Sequence, residues 1–262
     1  MEKDSYILKT LSKAIDVINI FENEAEALTI TEISKRTTIN RTTLYRILYT
    51  LRSRGYIEMD VETGKYSLGL KLVQLSSLVL QRSGIKQVAR PFLEQLRDDL
   101  NETVHLVIHN EGKAIFIDKI EVSRTIFMGS FIGWIAPLYC TASGKLLLSY
   151  QSKEYIDHYL STHSFKAYTQ NTLTDKDKLR EELNHINREG ISVDNEEIVE
   201  GLTCFAAPIV DKQGNILASV SVSGPTSRMV ANNEDIVSTL IQNAKSISDK
   251  LATIPATMQQ WV

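Results

Sequence analysis

The chain has 262 residues, 43% of them hydrophobic and 23% charged, which is enough to bury two cores at roughly 100–200 residues per domain. Its 5 prolines and 12 glycines argue against long linkers, and no apolar run reaches the roughly 18 residues that a bilayer span requires. The opening MEKDSYILKT does not resemble an export signal, so a cytoplasmic protein is expected, with Cys140 and Cys204 as free thiols.

The net charge of −3 is unevenly spread. Residues 31–54 carry Lys35, Arg36, Arg41, Arg46, Arg52 and Arg54 against Glu32 alone, a window of +5 that leaves −8 for the remainder. A basic module on an acidic body suits phosphate binding, because the basic part gains from releasing counterions. The same charges would also suit a solvated helix face. In chain order, residues 10–21 place Leu11, Ala14, Ile15, Ile18 and Phe21 at helical spacing, with Thr10 or Ser12 as cap. After the polar stretch ENEAEA, TEISKRT predicts a short helix capped by Thr31. The turn TTIN follows, with Thr38 where the commonest helix-turn-helix pattern has glycine. RTTLYRILYTLRSRG then aligns Leu44, Ile47, Leu48 and Leu51 as one stripe and stops at Gly55. YIEMD, a turn at Glu62-Thr63-Gly64, and KYSLG predict a β-hairpin.

That order is a winged helix-turn-helix. With the leucine stripe inward, the second helix offers Arg41, Thr42, Thr43, Tyr45, Arg46 and Tyr49 outward, donors and rings that reach phosphates and base edges in a major groove. Arg52, Arg54 and Lys65 lie where the helix end and wing would touch backbone phosphate. Thr31, Arg36 and Asn40 complete the candidate DNA contacts. Taken singly, Arg41 and Arg46 could equally be solubilising surface charge.

Residues 70–82 predict a helix leaving the wing, in which Leu72, Leu75, Leu78 and Val79 can pair with a second chain or pack on their own. Two half-sites about one turn of DNA apart need a dimer. Ser83-Gly84 opens a second domain. IKQVARPFLEQLRDDL predicts a helix that Pro91 kinks or restarts, and TVHLVIH, KAIFIDKIE and TIFMGSF predict strands. TASGKLLLSY predicts a helix capped by Thr141 or Ser143, with further helices over 153–160, 175–189 and 232–252. Strands are expected at 191–193, LTCFAAPIV and NILASVSVSG, the last two joined by a turn at Gln213-Gly214-Asn215. The expected architecture is α+β: residues 1–69 a winged helix-turn-helix, 70–82 a linker helix, 83–262 an antiparallel sheet with helices.

The chain resembles the IclR family of bacterial transcriptional regulators over nearly its whole length. The resemblance rests on LTITEISKRTTINRTTLYRILYTLRSRGYIE followed by YSLG, then NETVHLVI, TASGKLLLS, EEIVEGLTCFAAPIVD and SVSGP, in that order. It implies a GAF/PAS-like effector domain after the linker helix, assembly as dimers or tetramers, and control of a catabolic operon, with repression expected rather than activation. It also implies that a small organic acid is bound by Ala142, Ser143, Gly144, Asp194, Leu202, Cys204, Ser221 and Ser223. The chemistry agrees: backbone N–H groups at a helix start suit a carboxylate, and Ser221 and Ser223 alternate onto one strand face. Bland roles are equally open: a cap for Ser143, a core position for Cys204, a turn for Asp194. Trp134, Phe127 and Phe131 could narrow the cavity or pack in the core.

An enzyme is disfavoured. Ser143-Gly144-Lys145 lacks the earlier glycine of a phosphate loop, that position being Tyr139, and leucine follows the lysine. No local motif pairs Cys204 with a histidine, and neither HExxH nor CxxC occurs, so no metal or cofactor is expected. His105 and His109 fall on a predicted strand, well separated along it. The expected partners are a pseudo-palindromic double-stranded DNA, the organic acid and a second copy of the chain, with no membrane.

Overall fold

A computed structural model describes residues 6–23, 26–122 and 129–254. The chain divides into two compact units between Leu80 and Gln81.

In the first unit, α1 (Lys9–Asn19), α2 (Ile30–Lys35) and α3 (Arg41–Ser53) precede a two-stranded antiparallel hairpin, β1 (Ile57–Met59) and β2 (Tyr66–Leu68). The expected stripe turns inward: Leu44, Ile47 and Leu48 are buried with Val17, Phe21, Leu28, Ile33, Ile39, Ile57 and Tyr66. Each such side chain contributes roughly 1.5–3 kcal/mol by leaving water. The cap of α2 differs from expectation. Thr29, not Thr31, accepts from the Glu32 amide at 3.3 Å, while the Glu32 carboxylate accepts from the Thr29 amide at 2.7 Å. This capping box wins because it satisfies two donors reciprocally, and it leaves Thr31 exposed inside the helix. Thr38 needs no glycine, since no left-handed backbone occurs there; the Thr37 hydroxyl accepts from the Ile39 amide instead. Asn40 caps α3 by accepting from the Thr43 amide at 2.9 Å.

The hairpin loop is wider than a turn at residues 62–64, because the Asp60 carboxylate accepts from both Glu62 and Thr63 amides. At Gly69 a Cβ would lie 2.2 Å from the Gly55 carbonyl oxygen, so only glycine lets the wing close onto the end of α3. Then α4 spans Leu70–Arg82 with no buried residue; Val73, Leu75, Leu78 and Val79 are exposed and Leu72 is half-buried.

The second unit is a six-stranded antiparallel sheet in the order β5-β4-β3-β8-β7-β6, built from β3 (Thr103–Asn110), β4 (Lys113–Ile120), β5 (Ile135–Ala136), β6 (Ser192–Asn195), β7 (Leu202–Val210) and β8 (Ile216–Pro225). Pro91 sits inside one continuous helix, α5 (Gly84–Leu100), which Ser83 caps. The expected strand over 125–131 lies mostly outside the described residues, and residues 129–131 are irregular. Strand β5 follows instead at the sheet edge.

Strand alternation sorts the chemistry of the two faces. Val104, Leu106, Val220, Val222 and Phe205 share one face; there Asp118, opposite Leu106, meets Lys86 and Arg90 of α5 at 3.3 and 3.0 Å. The other face carries His105, Ser219, Ser221, Ser223, Cys204 and Asp194, and receives α6 (Ala142–Ser149), to which Ser219 donates at the Ser143 hydroxyl (3.1 Å). Beyond α6 stand α7 (Lys153–Thr162) and α8 (Lys176–Glu189). A short helix α9 (Thr226–Ala231), which periodicity did not predict, precedes α10 (Asn233–Ala252), and Arg228 of α9 pairs with Glu102 in bidentate fashion. Among the described residues no helix is long and apolar enough to cross a membrane, and no metal-competent cluster of His, Cys, Asp and Glu occurs.

Candidate functional site

Two surfaces carry chemistry, one in each unit. On α3, Arg41, Thr42, Tyr45, Arg46 and Tyr49 all face solvent, whereas Thr43 is half-buried with its amide committed to Asn40. Tyr45 is 53% exposed and Tyr49 76%, large rings that the unit's own core does not use. Arg41 and Arg46 have no carboxylate partner among the described residues, so their donors are open to an anion. Arg52 lies 3.8 Å from the Met59 sulfur, at the junction of helix and hairpin. Arg36 and Arg54 are exposed, and Lys65 is half-buried close enough to Glu32 to help hold that carboxyl down, after the Thr29 hydrogen bonds that dominate. The face therefore presents cations, hydroxyls and rings on one side of a helix, the set that a duplex groove accepts.

The second site is a cavity of about 210 Å³ between α6 and the sheet, larger than the roughly 150 Å³ in which a benzene ring can be held. Its floor follows from strand register. Asp194, Cys204 and Ser223 stand side by side across β6, β7 and β8, and one pleat further along Ser221 stands beside His105 of β3. Ala142 and Ser143 close it from the first turn of α6, while Leu202, Ile198 and Val199 wall one side and Phe116 and Trp134 another, their rings 4.8 Å apart.

Seven of the eight residues named from sequence line this one cavity. The exception is Gly144. A Cβ there would meet Thr141 Oγ1 at 2.4 Å and the Pro137 carbonyl at 2.6 Å, and its amide donates to Thr141 at 3.1 Å. Gly144 thus serves close packing of α6 against its own approach, and the open first-turn N–H groups are those of Ala142 and Ser143. Thr141, not Ser143, is the cap. Asp194 lies on a strand and not in a turn, with Oδ1 accepting from the Glu197 amide at 2.7 Å. Trp134 lines the cavity; Phe131 is 60% exposed and does not, and Phe127 lies outside the described residues.

Burial governs the electrostatics. Asp194 is pushed up to about 7, chiefly because its charged form is desolvated and secondarily because Glu197 is near. Burial likewise raises the Cys204 thiol, with Asp194 adding to it, so the sulfur is a neutral wall and not a nucleophile. His105 is pushed down to about 3 by burial and by Lys119, so its ring is neutral. It meets Phe116 edge-on at 5.1 Å and Ser130 through Nε2 at 2.9 Å. Sequence reasoning missed His105 and Phe116 as cavity residues, because their convergence depends on strand pairing over long separations, and it read Thr141 only as a cap.

The model of the IclR helix-turn-helix domain matches residues 10–61, and that of the bacterial transcriptional regulator IclR C-terminal region matches residues 77–249. The HTH-type transcriptional regulator KdgR of Dickeya chrysanthemi is 34% identical over 252 residues, 96% of this chain and 82% of that one. Among solved structures, the Thermotoga maritima IclR is 31% identical with a TM-score of 0.71, over 94% of this chain and 100% of that one. An IclR homologue of Microbacterium hydrocarbonoxydans complexed with 4-hydroxybenzoate shares the fold at 23% identity, with a TM-score of 0.80 over 94% of this chain and 100% of that one. With both models matched in sequence order and relatives aligned almost end to end, the chain belongs to the IclR family of bacterial transcriptional regulators, DNA-binding proteins and not enzymes.

Proposed function

We propose that the protein is an effector-controlled repressor of a catabolic operon, acting in the cytoplasm, and that its effector is a small organic acid held in the α6–sheet cavity. In this reading a homodimer, alone or paired into a tetramer, sets two copies of α3 into successive major grooves of a pseudo-palindrome. The exposed apolar residues of α4 (Val73, Leu75, Leu78 and Val79) pack against the partner's helix. Arg41, Thr42, Tyr45, Arg46 and Tyr49 reach the duplex, with Thr31, Arg36, Asn40, Thr43, Arg52 and Lys65 around them.

The observation that carries the proposal is the convergence of first-turn amides, serine hydroxyls and an apolar wall on one cavity. The amides and the helix dipole suit a carboxylate; the wall suits a compact carbon skeleton. Bound acid can shift DNA affinity only by the difference in its affinity for two conformations, typically about 1–3 kcal/mol.

The test is a thermal-shift screen of keto, hydroxy and aromatic acids, 4-hydroxybenzoate included, followed by mobility-shift titration on the DNA flanking the gene. An acid that stabilises the protein and changes its affinity for that DNA by roughly 5–150-fold supports the proposal. Affinity no better for that DNA than for random duplex across several salt concentrations refutes the operator reading. Stabilisation by none of the acids refutes the effector reading.

A further inference from the structure

The cations of the N-terminal unit are not confined to α3. Lys9 and Lys13, four residues apart on α1, are both exposed and stand about 6 Å apart along the helix axis. Among the described residues neither has a carboxylate or hydrogen-bond partner. Their placement works against the helix that carries them. Lys9 stands in the first turn, where the helix dipole repels a cation. That turn holds no acid, and Leu8 at the N-cap supplies no side-chain cap. Two like charges at this spacing also oppose each other. Local conflicts without a compensating contact concentrate at functional surfaces.

The two lysines face a groove between α1 and the turn that leads into α3. Lys9, Lys13 and Asp16 line it from α1, and Arg36, Thr37 and Thr38 from the end of α2 and the turn. Three cations stand there against one carboxylate, and Asp16, about one helical turn beyond Lys13, pairs with neither lysine. Thr38 is exposed, and its hydroxyl holds no partner among the described residues. The turn runs on through Asn40 into Arg41 and Thr42, all three exposed, so the groove adjoins the first turn of α3.

Resting on the reading that α3 enters a major groove, we propose that Lys9 and Lys13 form a further phosphate-binding surface, which grips the DNA backbone bordering that groove. A helix that meets base edges with its N-terminal residues carries the turn before it to the rim of the groove, where the phosphates are. Half or more of the hydrogen bonds in such complexes go to phosphate and sugar. An ammonium on a flexible stem meets a phosphate as a point charge and needs no fixed fork geometry. The exposed Thr38 hydroxyl is a donor beside the same strand. The ligand is the phosphodiester backbone of a duplex of any sequence, so the surface adds affinity and fixes docking without reading bases.

Fluorescence anisotropy with the full chain tests this, on the DNA flanking the gene and on a random duplex of equal length, over a series of salt concentrations. The double substitution Lys9→Gln, Lys13→Gln is expected to lower the slope of log affinity against log salt by about 0.9 for each phosphate a lysine neutralises, hence by about 1.8 for each N-terminal unit engaged. The loss of affinity should therefore shrink by about tenfold or more between about 50 and 200 mM salt. It should be equal on both duplexes, because a backbone contact is blind to sequence. Lys9→Arg with Lys13→Arg should restore the wild-type slope. A slope within about 0.3 of wild type, a loss that does not vary with salt, or a loss confined to one duplex overturns the proposal. So does a loss matched by weaker self-association in sedimentation, which assigns the lysines to a protein interface. Arg41→Ala, run alongside, keeps the two readings apart. If it lowers the slope where the lysine pair does not, the α1 surface alone is refuted; if neither does, the reading of α3 falls as well.

Discussion

Replacing Lys145 with methionine removes a buried cation but keeps most of its aliphatic stem. The side chain is 2% exposed, its ammonium 2.5 Å from Glu197 Oε1 and 3.3 Å from Glu182 Oε1. Glu197 is 5% exposed, and its second oxygen has no partner. Burial already raises the Glu197 carboxyl from its ordinary value of 4.5, and Lys145 opposes the rise. Without the cation the carboxyl goes higher still and takes up a proton, which the unfolded chain lacks above pH 4.5. Stability is therefore lost as pH rises from that value. Keeping an ordinary glutamate protonated costs about 1.36 kcal/mol per pH unit above its pKa, so the electrostatic loss has a ceiling of about 3.4 kcal/mol at pH 7 and about 0.7 kcal/mol at pH 5. The range of about 3–5 kcal/mol for breaking a buried pair agrees with the upper figure. Asp194, which Lys145 also holds down, moves the same way and steepens the slope. Urea unfolding at pH 5, 6 and 7, followed by circular dichroism, measures it. A loss at pH 7 under about 1 kcal/mol, or a loss equal at pH 5 and pH 7, refutes the reasoning that Lys145 neutralises Glu197.

Three further sets of substitutions separate the roles assigned above. Asp194→Asn keeps an acceptor for the Glu197 amide but never ionises. Because burial raises Asp194 from 3.8 to about 7, the wild-type protein loses stability as pH climbs through that interval, so the variant should melt higher than wild type at pH 8, with the gap closing towards pH 4. Arg41→Ala and Arg46→Ala should each leave thermal stability within about 0.5 kcal/mol, both side chains being exposed. In titrations against salt, each should lower the slope of log affinity against log salt by about one for every phosphate the arginine neutralises. Thr29→Ala should destabilise the N-terminal unit by about 1 kcal/mol in thermal unfolding, whereas Thr31→Ala should be nearly neutral, since the capping box runs between Thr29 and Glu32.

Local features are legible because their causes are local. The stripe Leu44–Ile47–Leu48, the stop at Gly55 and the two short strands of the wing depend on residues a few positions apart, and all occur where periodicity and turn chemistry put them. Thr31 misleads for an equally local reason: two threonines compete for one helix start, and only the reciprocal bond of Glu32 to Thr29 decides between them. The resemblance to IclR regulators names residues that spacing cannot, seven of which line the cavity; Gly144, also named, lies outside that lining and packs closely against Thr141 and Pro137.

From residue order alone came the alternation that turns Ser221 and Ser223 to one side, the cap-bearing start of α6, and the basic polar face of α3. These follow from rotation per residue in helices and strands, which the chain carries with it. What only the tertiary structure decided is adjacency. His105 meets Ser221, far along the chain, because β3 and β8 pair antiparallel in one register. Burial in that sheet then raises the Asp194 carboxyl and the Cys204 thiol and lowers the His105 ring, moving each away from its ordinary titration range. Pairing register and desolvation belong to the folded assembly of strands, and no single stretch of sequence contains them.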